Sequence, residues 1–157
     1  MLYKRDPISH LLLIIVCSLV FFCGCAFPRI VVLDDPLTPE EHLNLGVAYE
    51  RKGELDSAIK EYELAAKKLS IAYLYLGNAY FQKEILSEAE KYYRLAIENE
   101  ILNADAHNNL AWLYYVKNEN LDEAESLVLK AIELNPSKNN IYRDTLDKIR
   151  ELKEAVR

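Results

Sequence analysis

Three passages of this sequence repeat one another. Leu43–Lys67 reads LNLGVAYERKGELDSAIKEYELAAK, Leu74–Glu98 reads LYLGNAYFQKEILSEAEKYYRLAIE, and Asn108–Glu133 reads NNLAWLYYVKNENLDEAESLVLKAIE. Charged residues drift between the copies while small ones hold register. Gly46, Gly77 and Ala111 correspond, as do Ala58, Ala89 and Ala124, and again Ala65, Ala96 and Ala131. The intervals are 31 residues (46 to 77) and 34 (77 to 111) in the first set, and 31 and 35 in the other two. Periods of this size mark stacked helical units, because no single unit can bury its own apolar face.

Each copy divides into two helices. In the second copy Tyr73, Leu76, Gly77 and Tyr80 fall at i, i+3, i+4 and i+7, one stripe of a first helix. Ala89, Tyr93 and Ala96 form the stripe of a second. The small residues let the two backbones approach and the tyrosines fill the space beside them, so a larger side chain at Ala89 is expected to cost ~1–3 kcal/mol by overpacking. Thr38-Pro39-Glu40-Glu41 reads as a capping box with proline at the first helical position. Ser87 with Glu90, and Asp122 with Glu125, read as N-cap pairs of later helices, and Asp56 as a cap without its partner. Gly53 supplies a left-handed helix end; Asn118 or Asn120 serves in the third copy, and Glu84 stands where the second lacks the glycine.

A chain of 157 residues has room for one domain. Its net charge of −6 offers nucleic acid no basic surface. All three cysteines, Cys17, Cys23 and Cys25, lie in the first 25 residues, which excludes a disulfide scaffold or a cysteine zinc site from the repeated part. The same N-terminal stretch carries Lys4 and Arg5 ahead of the apolar run Leu11–Phe22, which is of signal-peptide length and short for a membrane span of about 20 residues.

The segment Phe22-Cys23-Gly24-Cys25 resembles a bacterial lipobox. That resemblance implies cleavage after Gly24, a covalent lipid on Cys25 and a tether to the bacterial cell envelope facing the periplasm. Ala26 in place of Asp favours the outer membrane over the inner. An uncleaved signal anchor is the alternative. Both tether a soluble domain to a membrane.

Leu45-Gly46, Tyr49, Gly53, Ala58, Tyr62 and Ala65 together resemble a tetratricopeptide repeat. So do Tyr73, Leu76-Gly77, Tyr80, Ala89, Tyr93 and Ala96, and likewise Leu110-Ala111, Tyr114, Ala124, Val128, Ala131 and Pro136. The resemblance implies an all-α superhelix (a solenoid) of three repeats closed by a C-terminal capping helix. The expected organisation is a leader over 1–24, the lipidated cysteine and a linker over 25–36, repeats over 37–136 (about 37–69, 70–102 and 103–136), and the cap over 137–157. In the cap, Ile141, Thr145, Ile149, Leu152 and Val156 share one stripe on a charged helix, as a terminal cover requires.

No HExxH, phosphate loop or nucleophile elbow is present. His42 and His107 occupy equivalent repeat positions where packing is expected, and the carboxylates lie on solvated faces among lysines. The sequence therefore points away from an enzyme, and no cofactor is expected beyond the lipid. Turning about 100° from the packing stripe of each first helix gives Leu43, Val47 and Glu50, then Leu74, Asn78 and Phe81, then Asn108, Trp112 and Tyr115. In the family this face lines a concave peptide groove, with Asn44, Tyr75 and Asn109 flanking it. Aromatic anchors between amides are the make-up of an interface hot spot. Packing of Trp112 or Tyr115 under the C-terminal helix is the competing account.

The family's carboxylate clamp of lysines and arginines is not evident, Arg51 being the one cation near this face. The expected function is an adaptor that binds a peptide segment of an envelope protein and assists assembly of a secretion, pilus or export complex. A self-associating structural component without peptide ligand is the alternative.

Overall fold

The computed structural model describes residues 35–156, where all regular structure is helical. The leader, Cys25 and most of the linker lie outside the described residues. Helix α1 (Pro39–Arg51) opens as expected: Thr38 Oγ1 accepts from the Glu41 N–H at 3.2 Å, and the Thr38 N–H donates to the Glu41 carboxylate at 2.7 Å. It is followed by α2 (Leu55–Ala66), α3 (Ile71–Gln82), α4 (Leu86–Asn99), α5 (Ala104–Lys117) and α6 (Leu121–Leu134). A turn of 3₁₀ helix, Pro136–Lys138, leads into α7 (Asn139–Ala155). Each helix packs on its neighbours in the chain, α1 on α2, α3 on α4 and α5 on α6 most extensively, and α5 also meets α3 and α7.

The turns inside the repeats are tighter than the capping pattern suggested. Gly53, Glu84, Asn118 and Asn120 all take positive φ, at 78°, 60°, 52° and 51°. The next helix then starts at once on a leucine (Leu55, Leu86 or Leu121), with Glu54, Ile85 and Asn120 at the N-cap and no side-chain cap. Asp56, Ser87 and Asp122 are therefore not N-caps. They sit inside the first turn, where acidic groups still favour the positive end of the helix dipole. Glu84 holds its left-handed backbone without the freedom of glycine, a strain of about 1–2 kcal/mol.

Glycine against tyrosine sets the distance between paired helices. A Cβ on Gly46 would stand 2.4 Å from Cε1 of Tyr62, and one on Gly77 would stand 2.4 Å from Cδ1 of Tyr93. Both rings are buried, so neither can swing aside. In the third repeat the facing pair is Ala111 and Val128, a larger residue on the first helix against a smaller one on the second, both fully buried. Around these pairs the interior forms two clusters. Ala58, Ile59, Tyr62, Leu76 and Ala79 make the first. The second runs from Leu74 and Tyr93 through Leu110, Leu113 and Val128 to Tyr142 and Ile149.

The cap buries Thr145 and Ile149 of the expected stripe but is rotated toward Tyr142 and Leu146. Tyr142, Thr145, Leu146 and Ile149 are buried at i, i+3, i+4 and i+7, whereas Ile141 and Val156 are exposed by more than half, at 55% and 58%. Tyr142 decides this rotation: its hydroxyl donates to Asp105 of α5 at 2.7 Å, and Lys138 reaches the same carboxylate at 2.7 Å. His42 and His107 are packed, as expected. His42 Nδ1 lies 2.7 Å from Glu61 and its Nε2 lies 3.1 Å from Asp35, while His107 Nδ1 lies 2.9 Å from the Asn103 carbonyl.

Carboxylates tie one repeat to the next. Glu90 of α4 accepts from Tyr114 at 3.1 Å and from Lys117 at 2.9 Å, both on α5. Glu125 of α6 accepts from Arg150 at 2.7 Å and Lys153 at 2.6 Å on α7. Burial on its own raises the Glu90 and Asp105 carboxyls. Hydrogen bonds from Lys117 and Tyr114, and from Lys138 and Tyr142, outweigh it and hold both below the usual range. The Lys153 and Arg150 hydrogen bonds depress Glu125 likewise.

Two predictions follow from this packing. Gly77→Ala lowers stability by ~1–3 kcal/mol in urea unfolding followed by circular dichroism. Adding Tyr93→Val, which copies the third repeat's pairing, recovers part of that loss, a coupling of at least ~0.5 kcal/mol; strict additivity would refute the interlock. For the carboxylates, a folded pKa below the unfolded one contributes stability that is present above the ordinary values of 4.5 for Glu90 and Glu125 and 3.8 for Asp105. That stability is lost as pH falls through the lower folded values. The urea midpoint should hold above pH of about 5 and drop as the pH falls below it, and Glu90→Gln should flatten the decline.

Candidate functional site

The first helices of the three repeats, α1, α3 and α5, present their exposed sides to a common cleft of about 260 Å³. Asn78, Phe81 and Gln82 of α3 line it with Asn109 and Trp112 of α5. Glu50 of α1 stands at one side, and Tyr93 reaches it from α4. Asn78, Phe81 and Gln82 share a face because they fall at i, i+3 and i+4.

A polar chain runs across this cleft. The Tyr93 hydroxyl donates to Asn78 Oδ1 at 3.0 Å, and Asn109 Nδ2 donates to the same oxygen at 2.9 Å. The Asn78 amide nitrogen and the Asn109 carbonyl oxygen make no hydrogen bond among the described residues, so one donor and one acceptor remain. The Tyr62 hydroxyl donates to Glu50 Oε2 at 2.6 Å, and Gln82 Nε2 donates to the other carboxylate oxygen. Burial pushes the Tyr62 and Tyr93 hydroxyls well above the ordinary tyrosine value; for Tyr62 its hydrogen bond to Glu50 adds to that, and for Tyr93 the Glu50 charge does. Both therefore stay protonated donors at neutral pH.

Of the residues expected in the groove, the structure gathers Asn78, Phe81, Asn109 and Trp112 at this cleft. Leu74 and Asn108 are withdrawn from the surface, at 8% and 9% exposure, Leu74 as part of the second core cluster. Asn108 Oδ1 is buried without a hydrogen-bond partner. Leu43, Val47 and Tyr75 pack against the first core cluster, Tyr75 with its ring 5.4 Å from that of Tyr62. Asn44 is exposed and lies apart from the cleft. Tyr115 stacks on Trp112 at 4.9 Å between centroids, and Lys148 of α7 places its ammonium 5.2 Å from the Trp112 ring centre. Trp112 thus does both things considered from the sequence: it meets the cap and it lines the cleft.

Two lining residues went unrecognised. Tyr93 reads as pure packing, yet a buried tyrosine must place its hydroxyl on a partner, and the nearest polar ground is this cleft. Gln82 shares a helix face with Asn78 and could have been found by that spacing. Among the described residues no helix is long and apolar enough to cross a membrane, and no three His, Cys, Asp or Glu side chains gather to hold a metal ion.

The comparisons with known proteins agree with this architecture. Models of the tetratricopeptide repeat match residues 26–71 and 104–138. The human protein O-mannosyl-transferase TMTC2 is 33% identical over 101 residues, which is 60% of this chain and 12% of that protein. The chain therefore spans a small fraction of that relative's length. Among solved structures, the first TPR domain of human RPAP3 has a TM-score of 0.68 at 22% identity, over 74% of this chain and 93% of that one. The first TPR of Spaghetti (RPAP3) bound to the HSP90 peptide SRMEEVD gives 0.66 at 22% identity, over 78% and 95%. The Arabidopsis OM64 TPR domain gives 0.66 at 18%, over 72% and 94%. Small residues recurring in register, helices nested in pairs on them, and matches of this kind lead to one conclusion: the chain carries tetratricopeptide repeats.

Proposed function

We propose that this protein is a membrane-tethered adaptor that holds a peptide segment of a partner protein in the cleft between α1, α3 and α5. The observation that carries the reading is the cleft's composition. Phe81 and Trp112 give apolar contact, and the unspent Asn78 donor and Asn109 acceptor match the C=O and N–H of an extended backbone. Peptide binding by a protein of this fold supports it, since the Spaghetti (RPAP3) domain is bound to an HSP90 peptide. No catalytic step is assigned to the chain.

The lipobox-like stretch ending at Cys25 supports the tether. A lipid on Cys25 would hold the repeats at the bacterial cell envelope, facing the periplasm, with the outer membrane favoured. Confinement to a surface raises effective concentration toward a partner on the same membrane. Assembly of a secretion, pilus or export complex is the process such an adaptor would serve.

Two measurements test this. A photo-crosslinking residue placed at Phe81 should give a discrete protein adduct in envelope membranes, while one at Glu98 should not. Phe81→Ala should weaken capture of that protein by ~2 kcal/mol or more with helicity unchanged; equal adducts at both sites would sink the cleft as binding face. Mass spectrometry of the mature protein should find residues 1–24 removed and an acylated Cys25. An intact leader would establish the signal anchor instead.

A further inference from the structure

We propose that the cleft selects a segment carrying a lysine or arginine side chain beside an apolar residue, and that Glu50 is the residue that reads the cation. The inference rests on the cleft being the ligand site and adds the chemistry of the ligand.

Glu50 differs from the carboxylates that join one repeat to the next by ion pairs; Glu100, held by Ser70 and Asn103, is another half-buried carboxylate with neutral donors, and it lies away from the cleft. Glu90, Asp105 and Glu125 each hold a lysine or arginine within ion-pair distance. Glu50 is half-buried and held by two donors, the Tyr62 hydroxyl at 2.6 Å and the Gln82 amide, yet no cation reaches it among the described residues. No lysine or arginine lines the cleft at all. Lys83 is paired with Asp56, Lys117 with Glu90 and Glu119, and Lys148 with Asp144 at 2.6 Å, while Arg51 and Lys52, which follow Glu50 at the end of α1, are exposed and make no ion pair with it. A carboxylate fixed only by neutral donors keeps its charge unpaired for an incoming ligand.

The walls favour the same ligand. The faces of Phe81 and Trp112 attract cations through their quadrupoles, and Lys148 over the Trp112 ring shows that this indole accepts one. A lysine or arginine stem would lie along those rings while its head meets Glu50, burying the methylenes and pairing the charge. A cleft of about 260 Å³ takes one such side chain with its flanking backbone. An acidic segment would bring its carboxylates against Glu50, which has no cation paired with it to offset the repulsion.

Trp112 is the sole tryptophan, so its fluorescence reports on this cleft alone. The test selects from a random displayed peptide library on the full-length chain in detergent micelles, then measures chosen peptides, with both ends blocked, by Trp112 fluorescence. Support would be selected peptides that share a lysine or arginine next to an apolar residue. Replacing that cation by glutamine should weaken binding roughly tenfold, with the loss absent in Glu50→Gln and shrinking at high salt. Peptides that need Phe81 but show no basic residue, or an acidic one, would overturn the cation inference and leave the cleft standing. Selection of nothing that depends on Phe81 would overturn both.

Discussion

A hydrogen atom at Gly46 and at Gly77 is what allows this structure. With a methyl group there, the Tyr62 and Tyr93 rings would be penetrated at 2.4 Å, and the paired helices could not close. The close approach then directs the tyrosine hydroxyls through the pair to the far side of the first helices. Tyr62 reaches Glu50, one turn beyond Gly46, and Tyr93 reaches Asn78, one residue beyond Gly77. The residues that pack the core therefore also organise the polar side of the cleft. In the third repeat, valine replaces tyrosine at 128 and no hydroxyl emerges. There the residue after the small one is Trp112, and the cleft becomes aromatic.

The joins between repeats use another chemistry. Tyr114 lies fully buried with Arg94 and Lys117 at its ring and Glu90 at its hydroxyl; Tyr142 lies buried with its hydroxyl on Asp105, whose carboxylate also holds Lys138. Each tyrosine supplies apolar area to the core and a donor to a carboxylate that also holds a cation. Charge-assisted bonds of this kind are stronger than neutral ones and fix direction. Burial raises the Tyr114 hydroxyl to about 12, which keeps it a donor while Glu90 stays ionised. Stacked repeats have no long-range strand pairing to set their register, and these directed bonds give each join a specific geometry.

How much of this the sequence discloses depends on how local the cause is. The repeats were legible because each small residue at a fixed spacing is a direct imprint of helix-to-helix distance, and the Thr38 box because its two partners lie three residues apart. The later caps were not. Ser87 with Glu90 and Asp122 with Glu125 have the same spacing, but Glu90 and Glu125 are taken by cations from the following helices, 27 and 25 or more residues away. The cap's expected stripe held Thr145 and Ile149 but missed Tyr142, whose hydroxyl meets Asp105, a partner 37 residues distant that no periodicity within the helix reveals. In the groove, helical geometry put Asn78, Phe81 and Trp112 on one face correctly. It could not show that Leu74 and Asn108 are withdrawn from the surface, because that depends on the angle between repeats.

That angle also bears on what the cap does. Helix α7 closes the interior with Leu146 and Ile149 at i and i+3, and the exposed side of that same turn carries Lys148 to the Trp112 ring. Lys148 lies two residues after Leu146 and immediately before Ile149 on one helix, so the cap cannot shift on the core without moving its ammonium across the indole. Asp144 holds Lys148 from one turn earlier and limits the directions it can take. Closure of the core and the shape of the cleft's aromatic end are therefore one constraint. A substitution that loosens Leu146 or Ile149 acts on the cleft without touching it, through the position of the cation that already occupies Trp112.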